Sequence, residues 1–193
     1  MPIVTKALFF SQQRAIVKIM KRERGFTLIE LMIAIAIVAI ALTLAIPSFT
    51  TVIKNNRLIT QINELVAHLS YARSEAIKRG SVISVCASAD QAACGGAWNT
   101  GWITFLDING NGDFDNATDA ILRIHEGFDG SNTLDGSAAV STSASYLGSG
   151  FTNLAANATF SLCDDRGATE GRQLTISSTG RVSTTTSPAS CTP

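Results

Sequence analysis

Gly25-Phe26-Thr27-Leu28-Ile29-Glu30 opens an apolar run that continues to Ile46. From Phe26 to Ile46 there are 21 residues and one charge, Glu30. That is the length of a bilayer-spanning helix. Lys21, Arg22 and Arg24 stand just before it, which orients the N-terminus toward the cytoplasm and the rest of the chain outward. The run is longer than the core of a secretory signal, and no A-x-A cleavage site follows it. A cut at the Gly25–Phe26 junction would leave the membrane helix on the mature protein. A carboxylate inside hydrocarbon is costly unless it is paired, so Glu30 reads as a functional residue.

These residues resemble the prepilin leader of type IV pilins and type II secretion pseudopilins: glycine, a following aromatic, a carboxylate at the fifth mature position and an unbroken apolar run. The resemblance implies that a prepilin peptidase cuts after Gly25 and that the new amine of Phe26 is methylated. It also implies that Glu30 pairs with the Phe amine of an adjacent subunit and sets axial register. The leader is then residues 1–25, or a shorter basic stretch if translation starts at Met20 rather than Met1.

The helical pattern continues past Ile46. Pro47 removes one backbone bond and is a point where the helix can kink or melt. Beyond it, Leu58, Ile62, Leu65, Leu69, Ala72 and Ala76 recur at steps of four and three, one apolar face of a helix. Lys78 and Arg79 suit a last turn, and Gly80 suits the C-cap. A helix over 26–79 would be about 80 Å long. Its first half (26–46) is apolar all round and belongs in a membrane or a filament core. Its second half (47–80) is apolar on one side and packs on a sheet.

After Gly80 the period changes. Short β-rich runs at 81–87, 102–107, 120–125, 145–148, 158–163 and 173–177 alternate with Gly, Asn, Asp, Ser and Thr clusters. The fold class is therefore α+β: a long N-terminal helix packed on an antiparallel sheet formed by residues 81–193. Segment 127–150 reads as a loop or weak edge strand, and 183–193 as irregular unless Cys191 anchors it.

Net charge is zero, but residues 1–25 hold six basic residues and one acid. From Phe26 onward, 9 basic residues face 14 acidic ones, which argues against a broad nucleic-acid surface. The four cysteines, Cys86, Cys94, Cys163 and Cys191, all follow the apolar run. If that run crosses a membrane, they lie where disulfides persist. Of the three possible pairings, the spacing favours Cys86–Cys94 and Cys163–Cys191.

Tyr71-Ala72-Arg73-Ser74-Glu75-Ala76-Ile77-Lys78-Arg79-Gly80, then Gly101-Trp102, Asp107-Ile108-Asn109-Gly110-Asn111-Gly112, Cys163-Asp164-Asp165-Arg166-Gly167 and Gly180-Arg181-Val182 follow in order. Together they resemble the GspH/FimT/FimU group of minor pilins and pseudopilins, over nearly the whole chain from Gly25. That resemblance implies a minor type IV pilin, in a complex that primes assembly or forms the tip. Its expected partners are the prepilin peptidase, other minor and major pilins, the inner-membrane assembly platform and the lipid bilayer. The expected location is the inner membrane, single-pass with a periplasmic C-terminal domain, and then the pilus. A GspH-like subunit of type II secretion and a DNA-binding, FimT-like pilin are the alternatives.

The remaining motifs are weaker. Asp107, Asn109 and Asn111 partly match a calcium loop, but Thr118 stands where the bidentate glutamate belongs. The residues read better as an Asn-Gly hairpin turn with no bound cofactor. Gly180-Arg181 matches part of the Gly-Arg-x-Arg motif of DNA-binding FimT proteins, with Ser183 in place of the second arginine. Arg172 and Arg181 are the candidate nucleic-acid contacts, but Asp164, Asp165 and Glu170 offset them, and phosphate binding needs uncompensated cations. His68 and His125 belong to no triad or metal set, Trp98 and Trp102 read as core anchors, and no active site assembles. An enzyme is not expected.

Overall fold

The computed structural model describes residues 25–191. The leader and the choice between Met1 and Met20 lie outside the described residues. Two compact units divide the chain, Met1–Ala45 and Ile46–Pro193.

Helix α1 spans Leu28–Arg79, and its assignment does not break at position 47. It starts at Thr27, whose Oγ1 accepts the Glu30 N–H at 3.3 Å. Thr27 is thus an N-cap with an acid three residues on, the pattern of a capping box. The helix stops at Gly80, which adopts φ +64 and donates its N–H to Ala76 O at 2.9 Å. Only glycine takes that left-handed conformation cheaply.

In the first unit the chain is helical from Leu28, and its large apolar side chains are bare. Leu28, Ile29, Leu31, Met32, Ile35, Ile37, Val38 and Ile40 are each more than half exposed. The helix is long and apolar enough to cross a membrane. So much uncovered apolar surface implies lipid or neighbouring helices around it.

The second unit holds the amphipathic half of α1 and eight strands: β1 Ile83–Ala87, β2 Gly101–Leu106, β3 Ala120–Glu126, β4 Thr133–Gly136, β5 Ser143–Tyr146, β6 Ala158–Cys163, β7 Arg172–Ile176 and β8 Val182–Thr186. They form two four-stranded sheets, ordered β3-β2-β1-β5 and β4-β6-β7-β8. All strand pairs are antiparallel. The helical face read from periodicity is the core face: Leu58, Ile62, Leu65, Leu69, Ala72 and Ala76 are buried. They pack with Ile83, Val85, Trp102, Tyr146, Phe160 and Leu174 in one cluster.

The structure differs from the single six-stranded sheet read in the sequence on two points: the strands divide between two sheets, and 182–186 form β8 rather than an irregular tail. Segment 127–150, read as a loop or weak edge strand, holds the short edge strand β4, and β5 overlaps the run read at 145–148. β4 is four residues long and carries Asp135 and Gly136, so it looks like a turn. β8 is Val-Ser-Thr-Thr-Thr, with one apolar residue and no alternation to detect. Both strands exist because a neighbouring strand supplies backbone partners.

In the first sheet β1 and β2 are buried on both faces, while β3 is largely exposed. Cys86, Ile103 and Phe105 turn away from the helix and pack with Cys94, Phe114 and Ile121. Residues 88–97 and 107–119 supply that cover, which explains why every residue of β1 is buried. Cys86 and Cys94 are bonded, pinning the first of these loops. Cys163 at the end of β6 is bonded to Cys191, which ties down the C-terminal segment.

Candidate functional site

Phe26 is 80% exposed. The Glu30 side chain is exposed and has no partner among the described residues. These two and Gly25 lie together at the start of the capped helix.

The far end of α1 is a fastening point. Arg73 donates Nε–H to Gly150 O at 2.9 Å and Nη2–H to Thr179 O at 3.1 Å. One helix side chain thus holds two loops, one before β6 and one between β7 and β8. Gly180 has φ +78, and a Cβ there would sit 2.1 Å from Gly150 O. Glycine at 180 is therefore required by backbone approach in this turn. In the last helical turn Glu75 accepts Arg79 Nε–H at 2.6 Å and lies 3.3 Å from Lys78 Nζ. The Arg79 hydrogen bond holds the Glu75 carboxyl below its ordinary range.

The two candidate nucleic-acid arginines are not brought together. Arg172 aligns with Thr186 at one end of the β7–β8 ladder, and Arg181 precedes Val182 at the other. Five ladder positions separate them by about 17 Å. Arg172 donates Nη1–H to Glu170 O and Gly171 O at 2.7 and 3.0 Å. Arg166 is held by the Asp164 carboxylate, with Nη2 to Oδ2 at 2.6 Å. Burial of Asp164 pushes its pKa up, but the hydrogen bonds from Arg166 outweigh this and hold it below the usual range. Arg181 is exposed, and its guanidinium has no partner among the described residues. Arg166 and Arg172 are thus tied to neighbours rather than gathered with Arg181.

The 107–112 segment forms an internally bonded loop. Asp107 is 1% exposed. Its carboxylate accepts Ser84 Oγ–H at 2.7 Å, Gly110 N–H at 2.7 Å and Gly112 N–H at 2.8 Å. Asn109 and Asn111 each accept a backbone N–H two residues on, at 3.0 and 2.8 Å. These oxygens are engaged by donors of Ser84 and of their own loop. The Asn-Gly pairs lie in a β2–β3 connection over residues 107–119, longer than the tight hairpin turn read from the sequence.

Trp98 and Trp102 are core residues, as expected. Trp102 touches both histidines: His125 stacks on it at 3.9 Å between ring centroids, His68 meets it edge-on at 5.6 Å, and the two histidines lie 5.4 Å from each other. His68 lies 3.4 Å from Thr104 Oγ1. Burial, with Arg123 and His125 nearby, pulls its pKa down to about 4.

The role of Arg73 was not legible in the sequence, because its two acceptors are backbone carbonyls more than 70 residues away along the chain.

Two family models match. The prokaryotic N-terminal methylation motif covers residues 20–46, and type II transport protein GspH covers residues 61–180. No curated protein matches in sequence. Two crystal forms of the Pseudomonas aeruginosa type IV minor pilin FimU are similar in structure. The first has 31% identity, a TM-score of 0.58, and covers 72% of this chain and 98% of that one. The second has 30% identity, a TM-score of 0.56, and covers 70% and 100%. The family and its structural relatives are filament proteins without an active site, and this chain, with its methylation motif, long helix and antiparallel sheets, belongs to the GspH family.

Proposed function

We propose that the chain is a minor pilin of a type IV pilus. Prepilin peptidase cuts after Gly25, and the Phe26 amine is methylated. α1 holds the precursor in the inner membrane with its β-domain in the periplasm. The assembly platform then moves it into a bundle of subunits, where Glu30 pairs with a neighbour's amine. The β-domain contacts other minor pilins in a complex that primes assembly or forms the tip. The observation that carries this reading is the likeness to FimU at 31% identity, on the same helix-and-sheet architecture.

A second reading, a minor pseudopilin of type II secretion, is favoured by the description of the matching family model. Sheared surface filaments separate the two. A minor pilin is found in them, and its deletion reduces piliation while secretion of exoproteins continues. The reverse pattern assigns it to secretion. Glu30→Ala should be cleaved normally yet be depleted at least about tenfold from filaments, since an unpaired assembly site is lost. Normal incorporation of that variant would remove the pairing role.

DNA capture is not favoured: Arg166 and Arg172 are tied to neighbours on their own loop, which leaves Arg181 alone.

A further inference from the structure

The two sheets have four edges, and three are protected. β3 bulges at Leu122, where its register with β2 shifts between Thr104 and Phe105, and it carries Arg123 and Glu126. β4 is only four residues long and contains Asp135. β5 is covered by the following segment, with Tyr146 bridged to Thr152 and the Asn153 N–H donated to Ser145 O. Bulges, charges, short length and cover are the ordinary ways of blocking an edge from pairing.

β8 has none of them. Val182–Thr186 contains no charge, no proline and no bulge, and its register with β7 is unbroken. Four of its five residues are β-branched, which suits a strand. The direction of its backbone groups follows from the ladder. Ser187 N–H donates to Gly171 O at 3.2 Å, and Ser177 N–H donates to Arg181 O at 2.9 Å. Bonded pairs alternate between these points, so Ser183 and Thr185 bond to β7. Val182, Thr184 and Thr186 turn their N–H and C=O groups outward.

The edge also borders a groove of about 440 Å³ against α1. Val66, Ser70, Arg73, Ser74 and Ile77 line it from the helix, and Arg181 and Val182 from the sheet. Ser70 and Ser74 are one helical turn apart on its wall. Ile77 is 54% exposed. The Arg181 guanidinium, unpartnered among the described residues, stands at one end.

We propose that β8 accepts a strand from a different filament subunit. This rests on the filament-subunit reading above. The donor is an extended segment with small or apolar side chains at alternate positions, which enter the groove, and a carboxylate that meets Arg181. Backbone bonds to residues 182, 184 and 186 supply the pairing, and the groove and Arg181 supply selectivity. A second copy of β8 does not fit, because it brings no carboxylate within Val182–Thr186.

The test uses the full-length chain in cells that make the filament, with a photo-crosslinking residue at position 186. Thr184→Pro removes one outward N–H and leaves the β7 bonds intact. Thr184→Ala is the control. The expected result is a crosslink from 186 to another filament subunit, mapped to an extended segment. It should fall roughly tenfold or more with Thr184→Pro, persist with Thr184→Ala and weaken with Arg181→Ala. Cellular level and both disulfides of the proline variant report that it folds. A crosslink insensitive to Thr184→Pro, one only to lipid or a second copy, or none at all would overturn the inference. Wild-type presence in sheared filaments reports separately on the filament-subunit reading.

Discussion

Arg73 and Gly150 join the end of the long helix to the sheet domain through a 2.9 Å hydrogen bond from Nε–H to the carbonyl oxygen. The same guanidinium holds Thr179 O, so one side chain closes two turns that sequence distance separates. Arg73→Ala should cost about 2 kcal/mol, the range for losing hydrogen bonds from a charged donor. Arg73→Lys should recover only part, because lysine lacks the planar fork. Gly180→Ala should be worse, at about 2–4 kcal/mol, since its Cβ would overlap Gly150 O. Thermal unfolding of the detergent-solubilised protein reads all three. An unchanged melting temperature for Gly180→Ala would contradict the turn described here.

His68 should make the domain acid-sensitive. Its folded pKa is about 4 against an ordinary 6.5, so the unfolded chain binds its proton first as pH falls. Stability from this residue is complete above about pH 6.5, declines toward pH 4 and levels off below. The full loss is up to about 3 kcal/mol. His68→Gln should flatten that limb of the melting-temperature profile. A variant with the same acid slope as the parent would assign the slope elsewhere.

The disulfides should differ in weight. Cys86–Cys94 closes a loop of separation 8 and Cys163–Cys191 one of separation 28. Chain entropy alone gives about 2.5 and about 3.5 kcal/mol. Paired serine substitutions followed by thermal unfolding test the order. Loss of Cys163–Cys191 should also raise proteolysis of residues 187–193.

Asp107 anchors its loop through three accepted hydrogen bonds. Asp107→Ala should cost about 2–3 kcal/mol by leaving those donors buried and unmet. The expected result is that neither calcium nor a chelator moves the parent's melting temperature by more than about 1 °C, since only a ligand that binds the native state raises it. A calcium-dependent rise abolished by Asp107→Asn would restore the cation loop.

The helix and its two characters were legible from local pattern alone. An unbroken apolar run from Phe26 to Ile46 and a 3.6-residue stripe from Leu58 to Ala76 are local patterns, and local patterns survive without knowledge of the fold. Six strands were legible for the same reason: each carries its own apolar or β-branched signal. Tertiary structure alone decided the rest. β4 and β8 are strands because β6 and β7 offer them backbone partners, which no side-chain period records. Whether an arginine is a fastener or a free cation depended on which carbonyls the fold placed beside it. Arg73, Arg166 and Arg172 were placed against partners, and the Arg181 guanidinium against none among the described residues. The chain could therefore announce a filament helix, but only long-range pairing could open one sheet edge and close three.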